Sequence, residues 1–139
     1  MSQMFRLKDA SGFSDGWSPS PPWRVYTKTS EMTRPPPSSL WVIVDEGPDS
    51  VNDAAFAVTM GSWPTRYVTI WQDVPATYHG GGCGFSFADG HSEIKMWMDK
   101  RTLSLRPTYT RSVTGVTQAN PDNPDILWVM ERTTAAAKQ

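Results

Sequence analysis

Cysteine is nearly absent: the 139 residues contain one, Cys83. An internal disulfide and a cysteine-rich zinc site are thereby excluded. Long apolar runs are missing as well. The amino-terminal stretch MSQMFRLKDASGFSDGW is polar and shows neither the apolar centre of a signal peptide nor a membrane span. No long basic run occurs, and the formal net charge is -1 with an isoelectric point of about 6.1. That balance argues against nucleic acid as a partner. Histidine is scarce too, with His79 and His91 the two copies.

What is present is an aromatic-rich chain of single-domain length, residues 1–139. Hydrophobic residues make up 38%, with seven Trp and five Phe, enough to fill a modest core. Residues 1–22 read as an irregular amino-terminal segment and 135–139 as a frayed tail. Two proline clusters, Ser18–Trp23 (SPSPPW) and Thr33–Trp41 (TRPPPSSLW), break regular structure because proline lacks a backbone donor. They read as surface crossovers, with a ligand for a proline-recognition domain as the sharper alternative.

Short apolar, β-branched runs suggest a mainly β chain with long irregular connections. Leu40–Val44 (LWVIV) reads as a buried strand. Ala54–Met60 (AAFAVTM), Arg66–Trp71 (RYVTIW) and Asp125–Glu131 (DILWVME) are expected to be further strands. PDSVNDAAF can form one or two helical turns with Asp49 as the cap. No long amphipathic helix and no internal repeat is visible.

The stretch from Tyr78 to Trp97, YHGGGCGFSFADGHSEIKMW, carries both histidines and the cysteine. Asp89-Gly90 between two alternating runs predicts a hairpin with a two-residue type I′ turn, in which both loop positions take positive φ. That register sets Phe87 opposite Ser92, Phe85 opposite Ile94 and Cys83 opposite Met96. Cys83, Phe85, Phe87, Ile94 and Met96 then share the core face, and Ser86, His91, Glu93, Lys95 and Trp97 the other. Cys83 reads as a buried small hydrophobe rather than a reactive thiol.

Several catalytic patterns are imitated here and fail on mechanics. HGGG (79–82) matches an oxyanion loop, and GFSFA (84–88) approaches a nucleophile elbow. The elbow requires Gly-x-Ser-x-Gly at a strand-to-helix turn, whereas Ser86 sits in mid-strand. No triad histidine follows, since His91 is the last one. The expectation is therefore a protein that is not an enzyme.

Ligand readings remain open beside structural ones. His79, Asp89 and His91 offer two imidazoles and a carboxylate for Zn²⁺ or Fe²⁺; the alternative is that Asp89 holds the turn and each histidine bonds locally. Asp45, Glu46, Asp49 and Asp53 crowd the loop DEGPDSVND, and hard oxygen donors suit Ca²⁺. The spacing is not that of an EF-hand, and a solvated loop with Asx-capped turns accounts for it equally. Trp41, Trp97 and Trp128 lie in or beside apolar runs and read as packing residues. Trp17, Trp23 and Trp63 lie in loops, so they are the candidates for a glycan- or ligand-binding surface.

His79, nine residues, then Asp89-Gly90, followed by HSEIKMW, resembles the carboxy-terminal globular part of prepilin-like, type II secretion pseudopilin-like proteins with a His-x9-Asp-Gly motif. SSLWVIVDEGPDSVNDAAFAV (38–58) and NPDILWVMERTT (123–134) resemble the same family, in the same order. The likeness spans roughly Trp23 to Thr134. It implies a pilin-like head, an antiparallel sheet that lies against an amino-terminal apolar helix. It further implies a structural role in a type II secretion or type IV pilus-like filament, with other pilin-like subunits as partners. The location implied is the cell envelope, periplasm or exterior.

His79, Asp89 and Gly90 would then shape the hairpin. Related pseudopilins can hold Ca²⁺ in a loop near the sheet; here the calcium reading rests on the acidic loop alone. The apolar helix does not stand in these 139 residues. The expectation is that Met1 lies inside a longer gene product or that a partner chain supplies the helix. Membrane attachment would run through that helix alone. Without it, the sheet is expected to expose an apolar patch or to oligomerise.

Overall fold

The computed structural model describes residues 1–2, 4, 23–52, 54–60, 70–109 and 121–135. Its centre is a three-stranded antiparallel sheet in the order β1-β2-β3, with β1 at Trp41–Val44, β2 at Gly82–Phe87 and β3 at Ser92–Met96. Two helices follow, α1 at Lys100–Leu103 and α2 at Pro124–Glu131. The mainly β expectation holds at this level.

β1 forms where the sequence places its β-branched run, but it is not buried throughout. Trp41 pairs with Phe87, Ile43 with Ser86 and Val44 with Phe85, and the register shifts between Trp41 and Ile43. That irregularity brings Trp41 and Val44 to the same inner face although they are three residues apart. Ile43 is left pointing outward, 57% exposed.

The hairpin is present with a different loop. Gly90 N–H donates to Phe87 O at 3.0 Å, and Phe87 N–H donates to His91 O at 2.9 Å. Ala88, Asp89 and Gly90 thus form a three-residue loop, with Gly90 at φ +95°. A type I turn followed by a left-handed glycine closes such loops. The extra loop residue moves every pair by one: Ser92 faces Ser86, Glu93 faces Phe85, Ile94 faces Gly84 and Lys95 faces Cys83. A slip of one residue exchanges the faces of a strand. Cys83, Phe85 and Phe87 remain in the core, while Ile94 and Met96 turn outward and Trp97 turns in, 4% exposed. The predicted grouping of Ile94 and Met96 with Phe85 is thereby corrected.

Asp125–Glu131, predicted as a strand, is helical. The overlooked signal lies just before it. Asn123 accepts the N–H groups of Asp125 and Ile126 at 2.9 and 3.2 Å, and Pro124 takes the first helical position. Ile126, Val129 and Met130 then fall at helical spacing and are buried. Ala54–Met60 is no ladder strand either: Phe56 makes one isolated bridge, to Ser2. A side chain also holds its backbone, with Ala57 N–H donating to Asp73 Oδ2 at 2.6 Å. The segment still fills the core through Phe56, Val58 and Met60. The helical turn expected around Asp49 is only a turn over 48–50. Residues 66–69 of RYVTIW and all of SPSPPW except Trp23 lie outside the described residues.

Phe85 sits at the middle of the main core. Its ring meets Trp41, Trp97 and Trp128 edge-on, with centroids 6.0, 6.2 and 5.2 Å away. Aromatic pairs of this geometry contribute about 0.5–1.5 kcal/mol beyond their buried area. A smaller cluster of Met4, Tyr26 and Leu40 lies beside it, with Trp23 packed against both. Trp41 Nε1–H donates to Thr133 Oγ1 at 3.0 Å, fastening β1 to the end of α2.

Candidate functional site

The motif residues lie at the two ends of β2. His79, just before the strand, hydrogen-bonds Asp45 through Nε2, and Tyr78 O–H donates to the other Asp45 oxygen at 2.9 Å. Asp45 directly follows β1, so this group ties the end of β1 to the start of β2. Its backbone takes part as well, with Asp45 N–H donating to Gly84 O at 3.0 Å. The Tyr78 hydroxyl is pushed up to about 12, first by burial and then by its bond to the Asp45 carboxylate.

Asp89 works at the other end. Its carboxylate accepts His91 N–H at 3.1 Å and lies 2.6 Å from His91 Nδ1. Those bonds to His91 hold the Asp89 carboxyl below its ordinary value. The His91 ring stacks on Phe87, with centroids 4.4 Å apart. Gly90 supplies the left-handed turn position. Asp89 and Gly90 thus lie in the hairpin loop with a local His91 bond, whereas His79 bonds Asp45, distant in sequence, rather than a local group.

The same geometry separates the proposed metal ligands. β2, six residues long, stands between His79 and the Asp89–His91 pair. At about 3.3 Å per residue, that is roughly 20 Å, far beyond a shared coordination sphere. The acidic loop is also dispersed. Asp45 is held by Tyr78 and His79, and Glu46 accepts from Ser50 O–H at 2.7 Å. Asp49 accepts the N–H and O–H of Thr108 at 2.5 and 3.0 Å. Asp53 lies outside the described residues. Among the described residues no group of three or more His, Cys, Asp or Glu side chains is placed to hold a metal ion.

Of the loop tryptophans, Trp23 is half-buried between the two core clusters, while Trp17 and Trp63 lie outside the described residues. Cys83 is buried in the sheet, and its thiol donates to Asp45 O at 3.1 Å. Burial above all, with the Asp45 charge adding to it, pushes that thiol up to about 12. The smooth alternation of β2 was sufficient to find it as a core residue.

One contact was not legible in the sequence. Lys95 reaches under α2 to Asp125, a contact hidden by the assumed register and by reading α2 as a strand. The outer sheet face carries Ile43, Ile94, Met96 and, just past β3, Met98, between 51% and 74% exposed. A shallow groove of about 570 Å³ runs between Ile43 and Ile94. Its floor is Gly84, where an added Cβ would meet only Asp45 Cβ, at 4.0 Å. The surface is apolar and open, with a glycine at its floor. Among the described residues no helix is long and apolar enough to cross a membrane. Comparison of the chain with protein-family models, curated proteins and solved structures found no match.

Proposed function

We propose that this chain is the globular head of a pilin- or pseudopilin-like subunit, a structural protein that works by assembly and display at the cell envelope. One observation carries the reading: the whole His-x9-Asp-Gly span is used to frame a hairpin. His79 joins the start of β2 to β1 through Asp45, and Asp89 with Gly90 closes the far end. The motif thereby supplies contacts at both ends of β2. Its outer face, with Ile43, Ile94 and Met96, is the surface offered for assembly.

The reading is tested on the protein from its native source, by intact mass and amino-terminal sequencing of a cell-envelope fraction. An apolar amino terminus preceding Met1, with a mass well above 15.5 kDa, is the expected result. A soluble species of 15.5 kDa that begins at Met1 and co-purifies with no apolar helical chain would overturn it.

A further inference from the structure

Among the described residues β3 is an outer strand of the sheet, and its hydrogen-bond phase defines what that rim offers. Phe87 N–H donates to His91 O, and Trp97 N–H donates to Gly81 O at 3.0 Å. Between them Glu93 faces Phe85 and Lys95 faces Cys83. Bonded and non-bonded pairs alternate in an antiparallel ladder, so residues 93 and 95 direct their backbone groups toward β2. Ser92, Ile94 and Met96 direct theirs outward. Among the described residues the sheet ends there. Met96 O accepts from Lys95 Nζ at 2.7 Å and retains a second lone pair.

We propose that this edge pairs with the same edge of a second copy of the chain, antiparallel and centred on Ile94, making one six-stranded sheet. The register follows from the strand itself. A twofold axis at Ile94 sets Ile94 opposite Ile94, Ser92 opposite Met96 and Glu93 opposite Lys95 of the second copy. Each outward N–H then meets an outward C=O. On the inner face Glu93 of each copy comes opposite Lys95 of the other, whose ammonium also meets Asp125 of its own chain. On the outer face the exposed Ile94 and Met96 of the two copies join into one apolar strip.

The neighbouring registers fail on charge. A twofold axis at Glu93 sets carboxylate against carboxylate, and one at Lys95 sets ammonium against ammonium. Like charges directly opposite destabilise a strand pair. A twofold pair also closes on itself, which an unrelated peptide strand has no reason to do. This inference concerns the chain by itself and does not rest on the pilin-like reading.

Sedimentation velocity of the full chain over a concentration series is the test. A species of twice the 15.5 kDa chain mass, growing with concentration, is expected. Ile94→Pro removes an outward N–H while sparing the β2 ladder, and should abolish the dimer. Glu93→Lys, at an exposed position, sets two lysines opposite each other twice and should weaken dimerisation about tenfold or more. It carries the test should the proline variant unfold.

Oxidation of Ile94→Cys should give a disulfide-linked dimer, because bonded antiparallel partners have Cα atoms about 5.5 Å apart, within the bridging range of about 4.4–6.8 Å. Met98→Cys, well away from the axis, should not crosslink. A monomer at every concentration would overturn the inference. So would a dimer that survives Glu93→Lys and leaves Ile94→Cys uncrosslinked, because it would use another surface.

Discussion

Lys95 on β3 lies 3.5 Å from Asp125 on α2, and this contact fastens the sheet to the helix that covers it. Asp125 is fully buried and also accepts the N–H groups of Met98 and Asp99, at 3.0 and 2.9 Å. The Lys95 ammonium lies over the rings of Trp97 and Trp128 as well. Asp125→Ala should therefore leave a mostly buried cation and two backbone donors without their acceptor. Breaking a buried pair from one side costs about 3–5 kcal/mol, and a loss of that order is expected in urea unfolding. A loss below about 1 kcal/mol, the worth of an exposed pair, would mean that the carboxylate does not anchor α2.

Two glycines of the hairpin should resist substitution for different reasons. Gly90 holds φ +95°, and Gly90→Val should cost more than about 1 kcal/mol because a β-branched residue resists that region. At Gly82 the obstacle is space: an added Cβ would stand 2.9 Å from Lys95 O, a backbone atom. Gly82→Ala should push β3 away from β2 and lower the melting temperature. An unchanged melting temperature in either variant would contradict the hairpin geometry.

The Cys83 thiol should be silent in the folded protein. With its ionisation pushed up to about 12 by burial, almost no thiolate exists at neutral pH, and thiolate is the reactive form. A disulfide reagent should label it only as fast as the chain unfolds, and promptly in denaturant. Rapid labelling of the native protein would place Cys83 at the surface.

Acid should destabilise the fold through several bonded carboxylates. The side chain of Arg101 lowers Asp99, and the backbone N–H of Thr108 lowers Asp49, both from an ordinary value of 3.8. A carboxylate lowered in the folded state contributes stability that is fully present above its unfolded value. That stability is lost as pH falls through the folded value. The melting temperature should therefore drop below about pH 4, and Asp49→Asn should make that drop smaller. A melting temperature flat down to pH 2 would remove these bonds from the stability of the fold.

Local pattern carried much of this protein. β1 was legible because Val42, Ile43 and Val44 are β-branched and flanked by turn residues. β2 was legible from its period of two, which put Cys83, Phe85 and Phe87 inside. The hairpin itself followed from Asp89-Gly90, whereas the His79–Asp45 bond joins residues distant in sequence and was not legible. Helix α2 was equally local, written in Asn123 and Pro124, but a short apolar run such as ILWVM has no decisive period, and the cap had to arbitrate.

What the residues determined by themselves is the set of elements with strong short-range chemistry: a β-branched strand, an alternating strand, a glycine turn. What only the tertiary structure decided is the face and the partner. Whether the loop held two residues or three shifted all of β3 by one position, and that shift chose Trp97 over Ile94 for the core. The aromatic packing around Phe85 and the buried Lys95–Asp125 contact belong to that one register. Turn chemistry alone does not separate two registers of one hairpin. The burial of a particular side chain against a particular helix does, and that energy exists only when distant parts of the chain have come together.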